Sequence, residues 1–301
     1  MTPVLDTLLD TKLFITLGLA AGLPVAAGLS IQHQMAAPQE PAAATVTIAP
    51  RDFSYRMAGD FTRAGAVADA PLTQHRLGKS VTIMKSQVTA AAYDECVQAR
   101  ACRPLTQVQP PRPDVPVVGV SWEDATAYAR WLSAKTGEVW RLPTSAEWSF
   151  AAGSRARTET IAAEGRDFSE RWIAKYEQES ERERTADRTP QPIGSFGVNE
   201  NGLFDLAGNV WEWTDTCFTR QALDAQNKPV GPATVNCGVR LVEGQHRTYV
   251  TNFIRDARGG GCSVGAPPTN LGFRLVREDT RLIDRLMAGL RRMAAPFSRL
   301  A

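Results

Sequence analysis

Apolar and polar residues follow regular periods mainly in the middle of this chain, where they predict short secondary-structure elements. Val81-Thr82-Ile83-Met84 has the alternation of a β-strand. The strand leads into a helix, which we expect Thr89 to cap and Tyr93 to anchor to the core. The regular part of the chain is therefore predicted to begin with a strand followed by a helix.

Two further helices are predicted by capping boxes, in which a hydroxyl and an acid three residues later satisfy the backbone of the first turn. Ser121 and Asp124 have this spacing and precede apolar residues at helical intervals. Thr144 and Glu147 repeat it ahead of a shorter helix. Glycines 137 and 153 should end these helices, because glycine adopts the left-handed conformation of a helix C-terminus without strain.

After residue 153 the sequence loses its clear periods and becomes rich in glycine, proline and asparagine. Such a sequence predicts an α+β domain in which a few short strands hold much irregular chain. Residues 166–188 carry many charges of both signs and few apolar anchors, which is typical of a solvated helix or loop.

Residues 13–31 contain no charged side chain and are numerous enough to cross a bilayer as a helix. Two interpretations stay open: a signal anchor that remains in the membrane, or a cleaved secretory signal, since Ala42 and Ala44 have the spacing of a processing site. Lys12 favours an inside amino end. We expect the rest of the chain to follow a flexible linker at 32–50 and to lie in the periplasm or another extracytoplasmic space.

Residues 51–277 form the predicted domain, and helical periodicity returns at 278–301. Apolar residues share one face of this last segment, and arginines supply its charge. A basic amphipathic helix of this kind can lie on an anionic membrane surface or dock on a protein, and both interpretations stay open.

Composition narrows the classes of function. A chain of 301 residues with 43% hydrophobic content can bury a sizeable core. The formal net charge is +2, and no basic cluster is interleaved with aromatic residues, so no nucleic-acid partner is expected.

The five cysteines all follow the apolar run, and the oxidising compartment expected there favours disulfides. Cys96 and Cys102 are close enough in sequence to close a small loop. The odd count leaves at least one thiol without a partner in the same chain.

The densest group of candidate site residues lies at 202–214, where two tryptophans, two acids and a glycine turn fall together. Glycine in such a turn can direct backbone carbonyls inward. A cage of carboxylate and carbonyl oxygens suits calcium, and we expect a structural calcium ion with the ligands Asp205, Gly208, Val210 and Glu212. The alternative is a turn whose acids cap backbone amides and whose tryptophans lie in the core.

This segment resembles the G-L-x-D-x-x-G-N-V-W-E-W signature of the formylglycine-generating enzyme, or sulfatase-modifying factor, family. Four more pieces fall in the family's order: Gln87-Val88-Thr89 with Tyr93, residues 116–125, Arg141-Leu142-Pro143-Thr144 with Glu147-Trp148, and Asn270-Leu271-Gly272-Phe273-Arg274. The resemblance implies an α+β, C-type-lectin-like fold with little regular secondary structure.

The resemblance also implies metal chemistry that this chain only partly supports. Formylglycine-generating members hold copper with two cysteines, but the matching stretch, residues 238–257, contains no cysteine. A copper centre is therefore not expected, and a disulfide between Cys237 and Cys262 is the simpler use of the flanking cysteines. The family's histidine-rich iron site also lacks its ligands, since only His75 and His246 lie beyond the linker. Any other use of iron stays open.

Candidate catalytic residues lie in the same changed stretch. Glu243 and His246 stand three residues apart and could form a proton-transfer pair. Tyr249, Arg255 and Arg258 could bind an anionic or phenolic ligand. By resemblance, Trp211 and Asn270 line a substrate groove, to which we add Tyr249. The alternative is that Glu243 pairs with an arginine at the base of a loop.

Two hypotheses about function follow. The first is an exported oxidoreductase or modifying enzyme, similar to the branch that tailors siderophores such as pyoverdine or accompanies nitrite-reductase maturation. It would act on a peptide-derived metabolite or a partner protein. The second is a noncatalytic, calcium-stabilised binding or maturation-accessory module.

Overall fold

The computed structural model describes residues 43–105, 112–156, 173, 177, 181, 189–245, 247–253, 255 and 270–279. These residues all belong to one compact unit, which spans 40–301. The predicted apolar segment at 13–31 and nearly all of the predicted C-terminal helix lie outside the described residues. Among the helices in the described ranges, none is long and apolar enough to cross a membrane.

Three helices begin where the sequence predicts, and two of them end at the predicted glycines. They are α1 (Ala90–Gln98), α2 (Trp122–Thr136) and α3 (Ser145–Ala152). The Thr89 side chain caps α1, and both capping boxes are present at the starts of α2 and α3. Gly137 ends α2 in the left-handed conformation with φ 73°, and Gly153 ends α3.

Twelve strands are assigned within the described residues, and most are short. They are β1 (Thr45–Ile48), β2 (Asp52–Arg56), β3 (Asp60–Arg63), β4 (Ala66–Ala68), β5 (Leu72–Arg76), β6 (Val81–Met84), β7 (Trp140–Arg141), β8 (Trp211–Leu223), β9 (Pro229–Glu243), β10 (Thr248–Thr251), β11 (Leu271–Gly272) and β12 (Val276–Arg277). The mixture of helices with mainly antiparallel strands confirms the predicted α+β class.

The predicted linker at 32–50 is too long, because strand β1 lies within it. Residues 45–48 pair antiparallel with β6, at the edge of a sheet with the order β1-β6-β12-β7. Val46 and Ile48 pack on the core that surrounds Trp148. The domain therefore includes residues that the sequence composition assigned to a tether.

A second sheet has the order β10-β9-β8-β3-β4, with β11 parallel to β8. Strands β8 and β9 have 13 and 15 residues and form a long hairpin, so the expectation of only short strands after residue 153 is wrong. The outer part of β9 is exposed on both faces. It therefore lacks the apolar alternation that would have predicted a strand.

The inner end of this hairpin separates two environments, because successive side chains of a strand point to opposite faces. Trp213 and Val242 are paired across the strands and pack in the core that contains Tyr128 of α2. Glu212 and Glu243, the next pair, contact α3 instead. We call these faces the α2 side and the α3 side.

Candidate functional site

Glu212 lies at the start of β8 and is completely buried, with its charge neutralised by Arg274. The guanidinium donates from Nε to Oε2 at 2.6 Å and from Nη2 to Oε1 at 2.7 Å. Trp148 Nε1 and Gln87 Nε2 each donate to one of the two oxygens at 2.8 Å. Both members of the ion pair are 0% exposed, so each must supply the charge that the other needs.

Asp205 orders the turn that precedes β8. Its own φ of 58° is left-handed, and its carboxylate accepts hydrogen bonds from the amides of Gly194 at 2.6 Å and Phe196 at 2.8 Å. Burial raises the pKa of Asp205, and these two amides partly offset that rise. The side chain therefore caps backbone amides, as the alternative interpretation of the segment proposed.

The four predicted calcium ligands lie close together in sequence, but their contacts do not fit a calcium ion at Glu212. Both of its oxygens already accept two hydrogen bonds, and the adjacent positive charge belongs to Arg274. Val210 is buried, and Gly208 lies against the side chain of Phe196. In the described part of the chain, no group of three or more His, Cys, Asp or Glu could hold a metal. Calcium binding stays a prediction.

Glu243 ends β9 on the α3 side and is held by two donors. Arg247 Nε donates to its Oε1 at 2.9 Å, and Ser145 Oγ donates to the same oxygen at 2.5 Å. The Tyr55 hydroxyl extends the chain by donating to Ser145 at 3.2 Å. Arg247 also donates to the carbonyl of Arg56 at 2.8 Å. Glu243 thus pairs with an arginine at the base of a loop.

Burial dominates the electrostatics of this cluster. It raises the pKa of Glu243, and the nearby Arg247 lowers that pKa by a smaller amount. Burial also raises the pKa of the Tyr55 and Tyr249 phenols. Both phenols are therefore neutral groups at physiological pH.

Trp211 lies on the other side of the sheet, the α2 side, and its backbone contacts that of Asn270. The Trp211 amide donates to the carbonyl of Asn270 at 2.9 Å, and β11 continues beside β8 from there. The Trp211 indole lies over Gly244, where a β-carbon would stand only 2.5 Å from the ring. The indole also packs against the core on the α2 side.

The structure therefore divides the predicted site. Tyr249 is paired with Leu241 and shares the α3 side with Glu243, where its ring meets that of Phe218 at a centroid distance of 5.0 Å. Trp211 belongs to the α2 side. The predicted substrate-binding residues do not line one groove, because strand alternation places Tyr249 on the face opposite Trp211.

Two of the predicted catalytic residues, His246 and Arg258, lie outside the described residues. Arg255, which lies between these two residues in sequence, forms a bidentate ion pair with Asp124. Its Nε donates to Oδ2 at 2.7 Å and its Nη2 donates to Oδ1 at 2.6 Å. This pair ties the segment after β10 to the start of α2.

The cysteines form two disulfides within the described residues. The Cys96–Cys102 bond confirms the predicted small loop. Cys237 bonds to Cys217 and not to Cys262, so that prediction is wrong, because the β8–β9 hairpin brings the first two Cα atoms to 4.5 Å. Cys262 lies outside the described residues. Disulfide sulfurs are not thiolates, so these four cysteines do not fit a copper pair.

The donors that complete the two glutamate sites were not identified individually from the sequence. Arg247 lies four residues after Glu243, a spacing that could have suggested the ion pair. Arg274 was part of the family resemblance without a role, and only the demand of a buried carboxylate for a counter-charge could have pointed to it. Gln87 was likewise part of the resemblance without a role, and nothing in the sequence pointed to Ser145 as a donor.

The α+β fold is the one that the resemblance to the sulfatase-modifying factor class implied, and Glu212 of the W-E-W segment is buried in it beside Arg274. The Sulfatase-modifying factor enzyme 1-like domain matches residues 31–279, which is most of the chain. The chain therefore belongs to this family, and the predicted resemblance is confirmed.

Individual curated relatives align with smaller parts of this chain than the family model does. The formylglycine-generating enzyme of Streptomyces coelicolor is 35% identical over 179 residues, which are 56% of this chain and 54% of the relative. The inactive C-alpha-formylglycine-generating enzyme 2 of Bos taurus is 32% identical over 168 residues, 54% of this chain and 50% of the relative. The chain spans about half the length of the curated relatives it matches. The solved structure of PvdO from Pseudomonas aeruginosa covers 78% of this chain and 94% of its own at 22% identity and a TM-score of 0.49.

Proposed function

We propose that this chain is an exported family member that binds a peptide-derived metabolite or an exported partner protein on the α2 side around Trp211, whose backbone is bonded to that of Asn270. We further propose that it does not use two-cysteine copper oxidation. The state of the cysteines near this segment is the observation that carries the proposal about copper. Residues 238–257 contain no cysteine, and Cys217 and Cys237 are joined in a disulfide.

The ion pairs on the α3 side support the same proposal. A general base needs a carboxylate that can reach its substrate and exchange a proton. Glu243 is 3% exposed and is held by Ser145 and Arg247. Glu243 is therefore better suited to stabilising the start of the β9–β10 loop than to acting as a general base.

Export is supported by the disulfides and by the apolar run near the N-terminus. The two disulfides suit an oxidising compartment, and residues 13–31 form an apolar run that a signal or anchor requires. Calcium as a structural ion and a membrane contact of residues 278–301 are further expectations that need their own measurements.

A second candidate function is a modifying enzyme or oxidoreductase. The 35% identity to the formylglycine-generating enzyme of Streptomyces coelicolor favours it. Since Glu243 is held in its ion pair, His246 and Arg258 are the candidate catalytic groups that this function would use.

One titration separates the two candidates. The full chain is mixed with a cysteine-containing peptide and with its serine counterpart, with copper supplied. Binding is followed by tryptophan fluorescence and oxidation of the peptide by mass. We expect binding without a mass change, lost in Trp211→Ala and kept in Tyr249→Phe on the opposite face. Oxidation of the cysteine peptide would overturn the proposal and favour the enzyme.

A further inference from the structure

The two disulfides of the described residues lie in different surroundings. Cys96 is 0% exposed and Cys102 is 6% exposed, and both belong to the core that contains Tyr128. Cys237 is an exposed residue, and its partner Cys217 is half-buried. A thiol in solution can therefore approach the Cys217–Cys237 bond from the Cys237 side, whereas the core shields the Cys96–Cys102 bond.

Cys237 lies in a bulge of the β8–β9 hairpin. Cys217 is paired with Arg240, whereas the next residue of β8, Phe218, is paired with Asn236. Residues 237–239 are therefore extra residues on β9, and the regular pairing of β8 with β9 is interrupted beside the disulfide. The disulfide joins the two strands at this point, and the pairs on either side of it can keep the hairpin folded when the bond opens.

Arg240 places a positive charge beside the two cysteines. It lies opposite Cys217, and its Nε donates to the carbonyl of Cys237 at 3.2 Å. Its Nη1 donates to Asp215 Oδ1 at 2.8 Å, and its guanidinium lies 4.2 Å from the ring centroid of Trp122. The Asp215 side chain is 44% exposed against 12% for Arg240, so water screens the carboxylate more than the cation. A fixed cation favours the thiolate form of a neighbouring cysteine, which is the form that leaves when a disulfide is opened.

We propose that the Cys217–Cys237 disulfide is a thiol–disulfide exchange site for a dithiol reductant. One thiolate of the reductant attacks the Cys237 sulfur, so a mixed disulfide forms and Cys217 leaves as a thiolate beside Arg240. The second thiol of the reductant then displaces Cys237. The reductant becomes a disulfide, and two electrons and two protons pass from it to the two cysteines of this chain. The disulfide is the resting form in an oxidising compartment.

Hydrogen bonds connect the bulge to the start of α2. The Asn252 amide donates to the carbonyl of Gly238, and the Trp122 amide donates to the carbonyl of Asn252, both at 3.0 Å. Asn252 Nδ2 also donates to the carbonyl of Cys237 at 2.7 Å. Reduction should loosen these bonds, so the amides of Trp122 and Asn252 should exchange hydrogen faster in the reduced chain.

The test is the reaction of the full chain with dithiothreitol, and with reduced and oxidised glutathione, in a Cys262→Ser background that removes a competing thiol. Alkylation and peptide mass mapping give the opening rate of each disulfide, and circular dichroism shows that the chain stays folded. We expect Cys217–Cys237 to open at least about tenfold faster than Cys96–Cys102 and to form again with oxidised glutathione. Hydrogen exchange should rise at Trp122 and Asn252 but not at Val117, whose amide is bonded to Val88 away from the bulge.

Variants of Arg240 separate its charge from its other contacts. Arg240→Gln should slow the opening about 2- to 5-fold, because the leaving thiolate loses its cation, whereas Arg240→Lys should keep most of the rate. Arg220→Gln removes an exposed positive charge elsewhere on β8 and should keep the native rate. Equal opening rates for the two disulfides would overturn the proposal, as would opening that occurs only when the chain unfolds. A native rate in Arg240→Gln would also overturn it.

Discussion

At the scale of single residues, two buried glutamates set the character of the site, and each is neutralised by an arginine of the same chain. The sequence indicated that Glu212 belongs to a segment with candidate site residues, but it did not identify the positively charged side chain that pairs with it. Arg274 lies 62 positions away, so their contact depends on the tertiary fold. Glu243 and Arg247 are local partners, and the sequence alternative of an arginine at a loop base described them correctly.

Removing one member of the buried Glu212–Arg274 ion pair should strongly destabilise the protein. Arg274→Met leaves the Glu212 carboxylate buried without its counter-charge, and we expect a loss of about 3 to 5 kcal/mol. Arg220→Met breaks the exposed pair with Asp60 and should cost less than about 1 kcal/mol. Urea denaturation measures both. Equal losses in the two variants would contradict the role given to Arg274.

The contact between Gly244 and Trp211 makes a second prediction at this scale. In Gly244→Ala the new methyl group would overlap the indole, so the ring must move, at a cost of about 1 to 3 kcal/mol. The tryptophan fluorescence should change as well. Gly78→Ala is the matched control, because a β-carbon at Gly78 meets no atom within 4 Å. An unchanged spectrum and stability in Gly244→Ala would show that the indole does not lie there.

At the scale of elements, the sequence predicted what is encoded locally. The caps of α1, α2 and α3 are recognisable because a cap and its partner lie within one helical turn. The long β8–β9 hairpin was not recognisable, since the exposed half of β9 carries no apolar period. Strand β1 was missed because pairing with β6 decides its conformation more than its alanine-rich surroundings do.

The start of α2 should give the protein an acid-sensitive contact. Burial alone would raise the pKa of Asp124, but Arg255 and the hydrogen bonds from Ser121 outweigh it and lower the pKa. A carboxyl with a lowered folded-state pKa stabilises the fold above its unfolded-state value, about 3.9, and this contribution is lost as the pH falls further.

Asp124→Asn should therefore destabilise the protein by about 1 to 3 kcal/mol near neutral pH and by progressively less below pH about 4. Urea midpoints measured across this pH range test the expectation. Asp94→Asn, a change on the exposed face of α1, should shift stability by less than about 0.5 kcal/mol at neutral pH. A constant difference between Asp124→Asn and the native chain at every pH would contradict the titration of Asp124.

At the scale of the whole molecule, one sheet separates two sets of functional candidates. Trp211 lies on the α2 side, while Glu243 and Tyr249 lie on the α3 side. Sequence spacing cannot reveal this division, because residues that are neighbours in sequence point to opposite faces of a strand. The family assignment was within reach of the sequence, since it rests on five ordered motifs.

The central claim is that Arg274, and not a metal ion, supplies the positive charge beside Glu212. Thermal melting of the full chain before and after exhaustive chelation tests it most directly. We expect any change on chelation to be the same in the native chain and in Glu212→Gln, and we expect Arg274→Met to melt at a lower temperature that calcium does not restore. A melting temperature that falls on chelation and recovers with calcium in the native chain, but not in Glu212→Gln, would contradict the claim.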